Sequence, residues 1–298
     1  LTLKYWFLIC LLAAGWGSSF FFNEILLREL GPMWVALGRV GMGALGCWLW
    51  MIATRMKLSL PKVSLGVLIA FAVFQYSLPL AIYPLTQQYI TSSAAGIVNA
   101  MTPIMVVLVS HFWPQGERAT WSKILGVVLG FAGITLLAQP SFQGQGGSDP
   151  IALLLTIAAP LCYGIALNLL RKMDAVDRVS LTAWSATIGA VALFPLTFAL
   201  EGIPTITRVE TWLSLIFIGF VLTSAAFILL FWLIPRVGGT TASTITFLAP
   251  ISSVLLGVYI LSEVLFPIQF AGMAVIFSGL LFIDGRLVKR LGFSQPNG

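Results

Sequence analysis

Few side chains in this sequence could perform covalent chemistry. There is one histidine, His111, and the three cysteines, Cys10, Cys47 and Cys162, lie far apart inside apolar runs. Neither a disulfide framework nor a metal site follows from groups so scattered. No apolar run holds a pair of acids, so general acid–base catalysis has nothing to work with, and neither an enzyme nor a cofactor is expected. Arg39 is the one clear charge within an apolar run, about seven residues or roughly 10 Å from its nearer end. If that run lies in lipid, Arg39 either snorkels or pairs with a loop acid, or it holds a ligand carboxylate.

Recognition chemistry is better represented than catalysis. Tyr76, Pro79, Tyr83 and Gln87 recur at intervals of three and four, one face of a helix, and Gln75 adjoins them. Trp16, Phe20 and Asn23 make a second stripe, and Tyr163 stands mid-run. Pro103 and Pro250 each release the carbonyl four residues earlier, on Asn99 and Thr246, so they are candidate hinges or static kinks. The rings and amides fit two readings, the lining of a cavity or ordinary helix packing. A cavity of rings and amides without fixed charge would suit a neutral or zwitterionic ligand with a flat apolar side group.

The elements that carry these residues must be membrane helices. Of 298 residues 59% are hydrophobic and 9% charged, and the mean hydropathy is +1.00, whereas a soluble domain carries about 25% charged residues. Apolar segments run over 3–22, 32–54, 63–84, 91–112 and 121–138, then over 150–172, 179–199, 211–233, 240–261 and 268–288. Each can cross the hydrocarbon, and only a helix satisfies its backbone there. The first has the length of a span rather than a signal peptide.

With the amino terminus inside, the inner loops carry Lys4, Arg55, Lys57, Lys62, Arg118, Lys123, Arg171, Lys172, Arg178, Arg236, Arg286, Lys289 and Arg290, against Arg28 and Arg208 outside. This asymmetry predicts cytoplasmic termini and accounts for the net charge of +6 without a nucleic-acid partner.

The halves repeat. An offset of 147 sets Ala95 on Ala242, Pro103 on Pro250, Ile104 on Ile251, Val107 on Val254 and Leu108 on Leu255. After one gap, Glu117, Gly126, Phe131 and Gly133 fall on Glu263, Gly272, Phe277 and Gly279. The first and sixth segments align more weakly, with Ala13, Ala14 and Asn23 over Ala158, Ala159 and Asn168. Five spans per half is an odd number, so the second half is inverted, as in secondary transporters. Glu117 and Glu263 are expected at the starts of the helices that follow them. Gly126, Gly130 and Gly133 form a close-packing face or a dimer seam, and His111 lies near the interface or serves a proton relay.

The runs "YPLTQQYITSSAAGIVNAMTPIMVVLVSHFWPQGERATWSKILGVVLGFAGITLLA" and "IPRVGGTTASTITFLAPISSVLLGVYILSEVLFPIQFAGMAVIFSGLLF", with the opening "AAGWGSSFFFNEILL", resemble the drug/metabolite transporter superfamily, in particular its EamA-type ten-helix members. Within it the chain looks most like the bacterial aromatic amino acid exporters. The resemblance implies an all-α integral membrane protein of ten transmembrane helices. They would form two inverted five-helix repeats, with helices one to four and six to nine around a central cavity and five and ten behind. The expected organisation is a first repeat over 1–140, a Gly-rich flexible linker over 141–149, a second repeat over 150–290 and a cytoplasmic tail over 291–298.

The expected function is export of amino acids, aromatic and other neutral ones, across the bacterial inner membrane by alternating access. A multidrug or metabolite exporter and a nucleotide-sugar-type carrier are the alternatives. No acid lies mid-span in the first helix, where small multidrug relatives keep a proton-exchanging carboxylate, so facilitated flux is expected over proton antiport. The expected cavity residues are Trp16, Phe20, Asn23, Arg39, Gln75, Tyr76, Tyr83, Asn99, Tyr163, Asn168 and Thr246. A monomer should suffice for function, a dimer being possible.

Overall fold

The computed structural model describes residues 2–145, 147–173, 176–242 and 244–284. Among them nine helices are long and apolar enough to cross a membrane. They are α1 (Leu3–Leu27), α2 (Pro32–Ala53), α3 (Leu65–Gln87), α4 (Ser92–Phe112), α5 (Trp121–Phe142), α6 (Pro150–Leu170), α7 (Arg178–Glu201), α8 (Val209–Val237) and α10 (Pro267–Asp284). The tenth, α9 (Thr244–Tyr259), is shorter and follows the helical turn Gly239–Ala242. The protein is thus a multi-pass, helical membrane protein, and the nine spans with this shorter apolar helix make up the expected ten among the described residues. The stretch 285–298, with the expected tail and Arg286, Lys289 and Arg290, lies outside the described residues, as do Gly146 and the Lys172 side chain.

Local chemistry sets where helices begin. Pro32 and Pro150 occupy the first positions of α2 and α6, where a missing N–H costs nothing. Thr91, Asp149 and Asp177 accept from the amides of Ala94, Ala152 and Ser180 at 3.2, 2.8 and 2.8 Å. Outward faces are apolar, with Val128, Ile151, Val191, Phe194 and Leu213 exposed. In water these would be an aggregation hazard, but in a bilayer they meet acyl chains. The α1 helix runs five residues beyond the apolar segment, to Leu27, because Asn23 is buried and bonded within the bundle.

The packing shows the inversion directly. Helix α5 lies along α10, with Gly126 against the Gly279 carbonyl and Gly133 against the Gly272 carbonyl, so the two run antiparallel. The repeat offset carries Gly126 to Gly272 and Gly133 to Gly279, which makes each of these contacts the image of the other. A pseudo-two-fold axis that exchanges two antiparallel helices must lie perpendicular to them, in the membrane plane. The same operation relates α2 packed along α7 to itself, and α1 against α9 to α6 against α4. These glycines therefore serve close packing inside one chain.

Three carboxylates tie the halves together at the side of the membrane away from Lys4. Glu201, ending α7, accepts from the amides of Met33 and Trp34 at 2.9 and 3.1 Å at the start of α2. Glu263 accepts from the amides of Ser92 and Ser93 at 2.6 and 2.9 Å at the start of α4. Glu29 accepts from the Thr207 amide and the Thr207 and Thr211 hydroxyls, each at 2.6 Å, beside the start of α8. Each acid neutralises unpaired amides or the positive end of a helix belonging to the other half. Glu263 thus departs from expectation: it caps α4 rather than its own α10, because the inverted packing brings the α4 start closer. Glu117 pairs with Lys123 on α5.

The region joining the halves is also more firmly held than its glycines suggest. Helix α5 extends into it as far as Phe142, the Ser148 hydroxyl accepts from the Thr91 amide at 3.1 Å, and the Asp149 amide donates to the Tyr89 carbonyl at 2.7 Å.

A methyl group on Gly126 would approach the Gly279 carbonyl to 2.6 Å, so Gly126→Ala should cost about 1–3 kcal/mol in thermal unfolding in detergent. Gly41→Ala, with nothing within 4 Å, should be neutral or gain up to about 1 kcal/mol. Hydroxyl and amide donors hold the Glu29 carboxyl down to about 2 from 4.5. Its stabilising contribution is therefore complete above about pH 4.5 and lost as pH falls towards 2, and a pH series of melting temperatures should show that loss diminished in Glu29→Gln.

Candidate functional site

Seven helices enclose a cavity of about 270 Å³ in the middle of the bundle. Helix α1 contributes Trp16, Ser19 and Phe20, α2 contributes Arg39, and α3 contributes Gln75, Tyr76, Leu80 and Tyr83. The other wall is Asn99 and Thr102 from α4, Tyr163 and Leu167 from α6, Thr223, Phe227 and Leu230 from α8, and Thr246 and Ala249 from α9. Helices α5 and α10 stand behind, as expected. Helix α7 also contributes no wall residue, because it lies along the far side of α2 and α3. A larger cleft of about 560 Å³ between α2 and α8, lined by Leu49, Trp50, Phe220 and Trp232 among others, is almost wholly apolar and carries no charged side chain. It is a lipid-side groove.

Among the described residues, Arg39 is the only charged side chain in the cavity wall. Its Nη2 donates to Ser19 Oγ at 3.1 Å and its Nε to Thr223 Oγ1 at 3.4 Å. Among the described residues no carboxylate pairs with it. It therefore neither snorkels to the interface nor pairs with a loop acid, and the expectation of an uncharged cavity is corrected: the pocket carries one fixed positive charge. A guanidinium offers five N–H donors, and hydroxyls occupy two of them here.

Backbone irregularity positions its surroundings. The α3 helix widens to π geometry over Val73–Ser77, and α8 does so over Phe217–Ala225. Adding the offset of 146 to 73–77 gives 219–223, inside the second π segment, so the feature is duplicated. It turns Gln75 and Tyr76 to the cavity in one half and Thr223 in the other, and the loosened ladder exposes the Leu222 carbonyl to the Trp16 indole at 3.1 Å. Such bulges concentrate at functional sites. Around them the rings cluster, with Phe227 5.6 Å from Trp16 and 6.0 Å from Tyr76, while Phe20 meets Tyr83 edge-on at 5.1 Å.

Of the eleven residues read from sequence, nine share this cavity: Trp16, Phe20, Arg39, Gln75, Tyr76, Tyr83, Asn99, Tyr163 and Thr246. Asn23 and Asn168 do not. Asn23 donates to Gln87 Oε1 at 2.8 Å, and Gln87 donates to the Phe20 carbonyl at 2.9 Å, which fastens α1 to α3. Asn168 accepts from Ser110 at 2.9 Å and donates to the Gly164 carbonyl, fastening α6 to α4. Both side chains fasten neighbouring helices, at pseudo-equivalent places.

The two prolines are not equivalent either. Pro103 follows a break at 100–101 that splits α4 into Ser92–Asn99 and Thr102–Phe112, and the Asn99 carbonyl is recaptured by the Thr102 hydroxyl at 2.7 Å. Pro250 sits inside the continuous helix Thr244–Tyr259. His111 Nδ1 accepts from the Ala119 amide at 3.0 Å, near the end of α4 and away from the cavity. Ser19, Thr223 and Phe227 were missed by sequence reading. The repeat could have flagged Thr223, since it falls on Ser77, beside Tyr76.

A bundle of two inverted five-helix units around a mid-membrane pocket is the architecture of a carrier. The chain belongs to the EamA-like transporter family, which matches it twice, over residues 3–139 and 150–284. It is a membrane transporter and not an enzyme. It is 26% identical to an uncharacterized transporter of Archaeoglobus fulgidus, over 94% of this chain and 99% of the relative. It is 24% identical to a probable amino-acid metabolite efflux pump of Escherichia coli, over 92% of each. A solved crystal structure shares the fold, with a TM-score of 0.67, 19% identity and coverage of 96% and 98%.

Separation of packing from lining residues gives a stability test. Asn168→Ala strands the buried Ser110 hydroxyl and should cost on the order of 1–3 kcal/mol in thermal unfolding. Gln75→Ala, at the cavity wall, should change stability by about 0.5 kcal/mol or less.

Proposed function

We propose that the protein exports amino acids, aromatic and other neutral ones, across a bacterial inner membrane by alternating access, with both ends of the chain in the cytoplasm. The observation that carries this reading is the placing of one guanidinium and a set of rings in a single small cavity. Arg39 would hold the substrate carboxylate in a charge-assisted hydrogen bond, and Trp16, Tyr76 and Phe227 would take an apolar side group. Support for amino acids comes also from the similarity to the Escherichia coli protein named as a probable amino-acid metabolite efflux pump. Support for the orientation comes from the basic loops on the Lys4 side. In this reading the three carboxylate caps hold the outer side shut, and the paired π segments with Pro103 and Pro250 bend as the halves exchange conformations.

A nucleotide sugar has less support, because its diphosphate would require more than one cation in the wall. Proton exchange has less support too, since no Asp or Glu among the described residues lines the cavity.

Purified protein in liposomes loaded with unlabelled substrate should take up labelled Phe and Trp by saturable counterflow, with weaker uptake of Met and Thr. An imposed pH gradient should not drive accumulation. Removal of a charge-assisted contact costs about 1.5–3 kcal/mol, so Arg39→Gln should lower uptake at low substrate about 10- to 100-fold. Non-saturable flux, or accumulation driven by the imposed pH gradient, would contradict the proposal.

A further inference from the structure

Charge in the cavity is unbalanced. Arg39 supplies one permanent cation, and among the lining residues there is no Asp or Glu to answer it. Its nearest partners, Ser19 and Thr223, are neutral hydroxyls, which help hold the guanidinium without discharging it. On the acceptor side the pocket offers no charge: the side-chain oxygen of Asn99 already takes the Tyr83 hydroxyl at 2.7 Å, and the other polar lining groups, Gln75 and the Ser, Thr and Tyr hydroxyls, are all neutral.

A zwitterion entering this site would have its carboxylate matched and its ammonium matched by neutral groups alone. Burial of a charge without an opposite charge is costly, and the cost falls on the ammonium end only. A molecule that keeps the carboxylate and the ring but has no ammonium escapes that cost and cancels the charge of Arg39.

Resting on the carrier reading above, we infer that this cavity selects net monoanions, carboxylates bearing a flat apolar group and no free ammonium, over the corresponding amino acids, and that transport is electrogenic. Each completed cycle moves one negative charge across the membrane. The net charge per cycle is the same whether Arg39 stays still in the field or shifts with the conformational change, because the empty carrier reverses any movement of its own charge. In a cell whose interior is negative, the potential itself drives such an anion outward. Export then needs no proton-binding carboxylate within the spans, in keeping with the absence of acids from the cavity wall.

The test compares N-acetyl-phenylalanine, which is a monoanion at neutral pH, with phenylalanine in proteoliposomes holding the full chain. Potassium about tenfold higher outside, with valinomycin, makes the interior positive and draws monoanions in to about a tenfold ratio at equilibrium, while a zwitterion stays near unity. The expected result is faster entry of N-acetyl-phenylalanine at equal low concentration and accumulation towards tenfold, reversed when the potassium gradient is reversed. Protein-free liposomes set the background. Arg39→Lys should retain the response to potential in weakened form, and Arg39→Gln, checked as monodisperse in detergent, should lose the preference for the anion.

If phenylalanine enters at least as fast, or N-acetyl-phenylalanine ignores the potential, the inference is overturned while saturable phenylalanine counterflow leaves the carrier proposal standing. If neither compound moves through folded wild-type protein, both fail together.

Discussion

The organisation of this molecule turns on one cation held inside the bundle. A guanidinium inside a membrane bundle is costly unless charge or hydrogen bonds answer it, and Arg39 has only the hydroxyls of Ser19 and Thr223. Helices from both halves contribute to that arrangement: α1 and α2 from the first, and the π segment of α8 from the second. The site therefore exists only when the halves are assembled. Its unanswered charge makes the cavity complementary to an anion, and the surrounding rings make it complementary to an apolar group.

The halves in turn are held by two kinds of contact with different roles. Along α5 and α10, opposed glycines bring backbones together without side chains between them, a contact that persists only if both helices move as one body. At the side away from Lys4, Glu29, Glu201 and Glu263 each cross from one half to cap or hold a helix start in the other. These carboxylate contacts are polar and partly exposed. Glycine packing joins the halves backbone to backbone, and the acid caps join them through polar contacts at one side.

Much of this was legible in the sequence because lipid imposes strict rules. Span count and repeat follow from runs of apolar residues that can satisfy their backbones only as helices, and from glycines and prolines at a constant offset. The stripes found Trp16, Phe20, Tyr76 and Tyr83 because a ring near the midplane has few other places to go. Asn23 and Asn168 looked the same on a helical wheel, yet Gln87 and Ser110 on neighbouring helices claim their amides, and a single helix cannot show its neighbours' donors. The π segments were invisible for a related reason: an i→i+5 ladder has no residue signature, and it shifts the facing of everything around it. Leu80, a turn from both Tyr76 and Tyr83, lines the cavity while Pro79 and Gln87 of the predicted stripe do not, Gln87 being held by Asn23 and the Phe20 carbonyl. Arg39 was visible as a charge but not as an unpaired one, since pairing depends on which loops approach it.

The central claim, that Arg39 recognises a carboxylate, is tested most directly by a cycle that alters both partners. Isothermal titration of the purified protein with phenylalanine and with phenylalaninamide, repeated on Arg39→Gln, isolates their coupling. The account predicts that wild type prefers the free carboxylate by about tenfold or more and that the preference disappears in the variant. Equal binding of acid and amide by wild type, or an unchanged preference in Arg39→Gln, would contradict it.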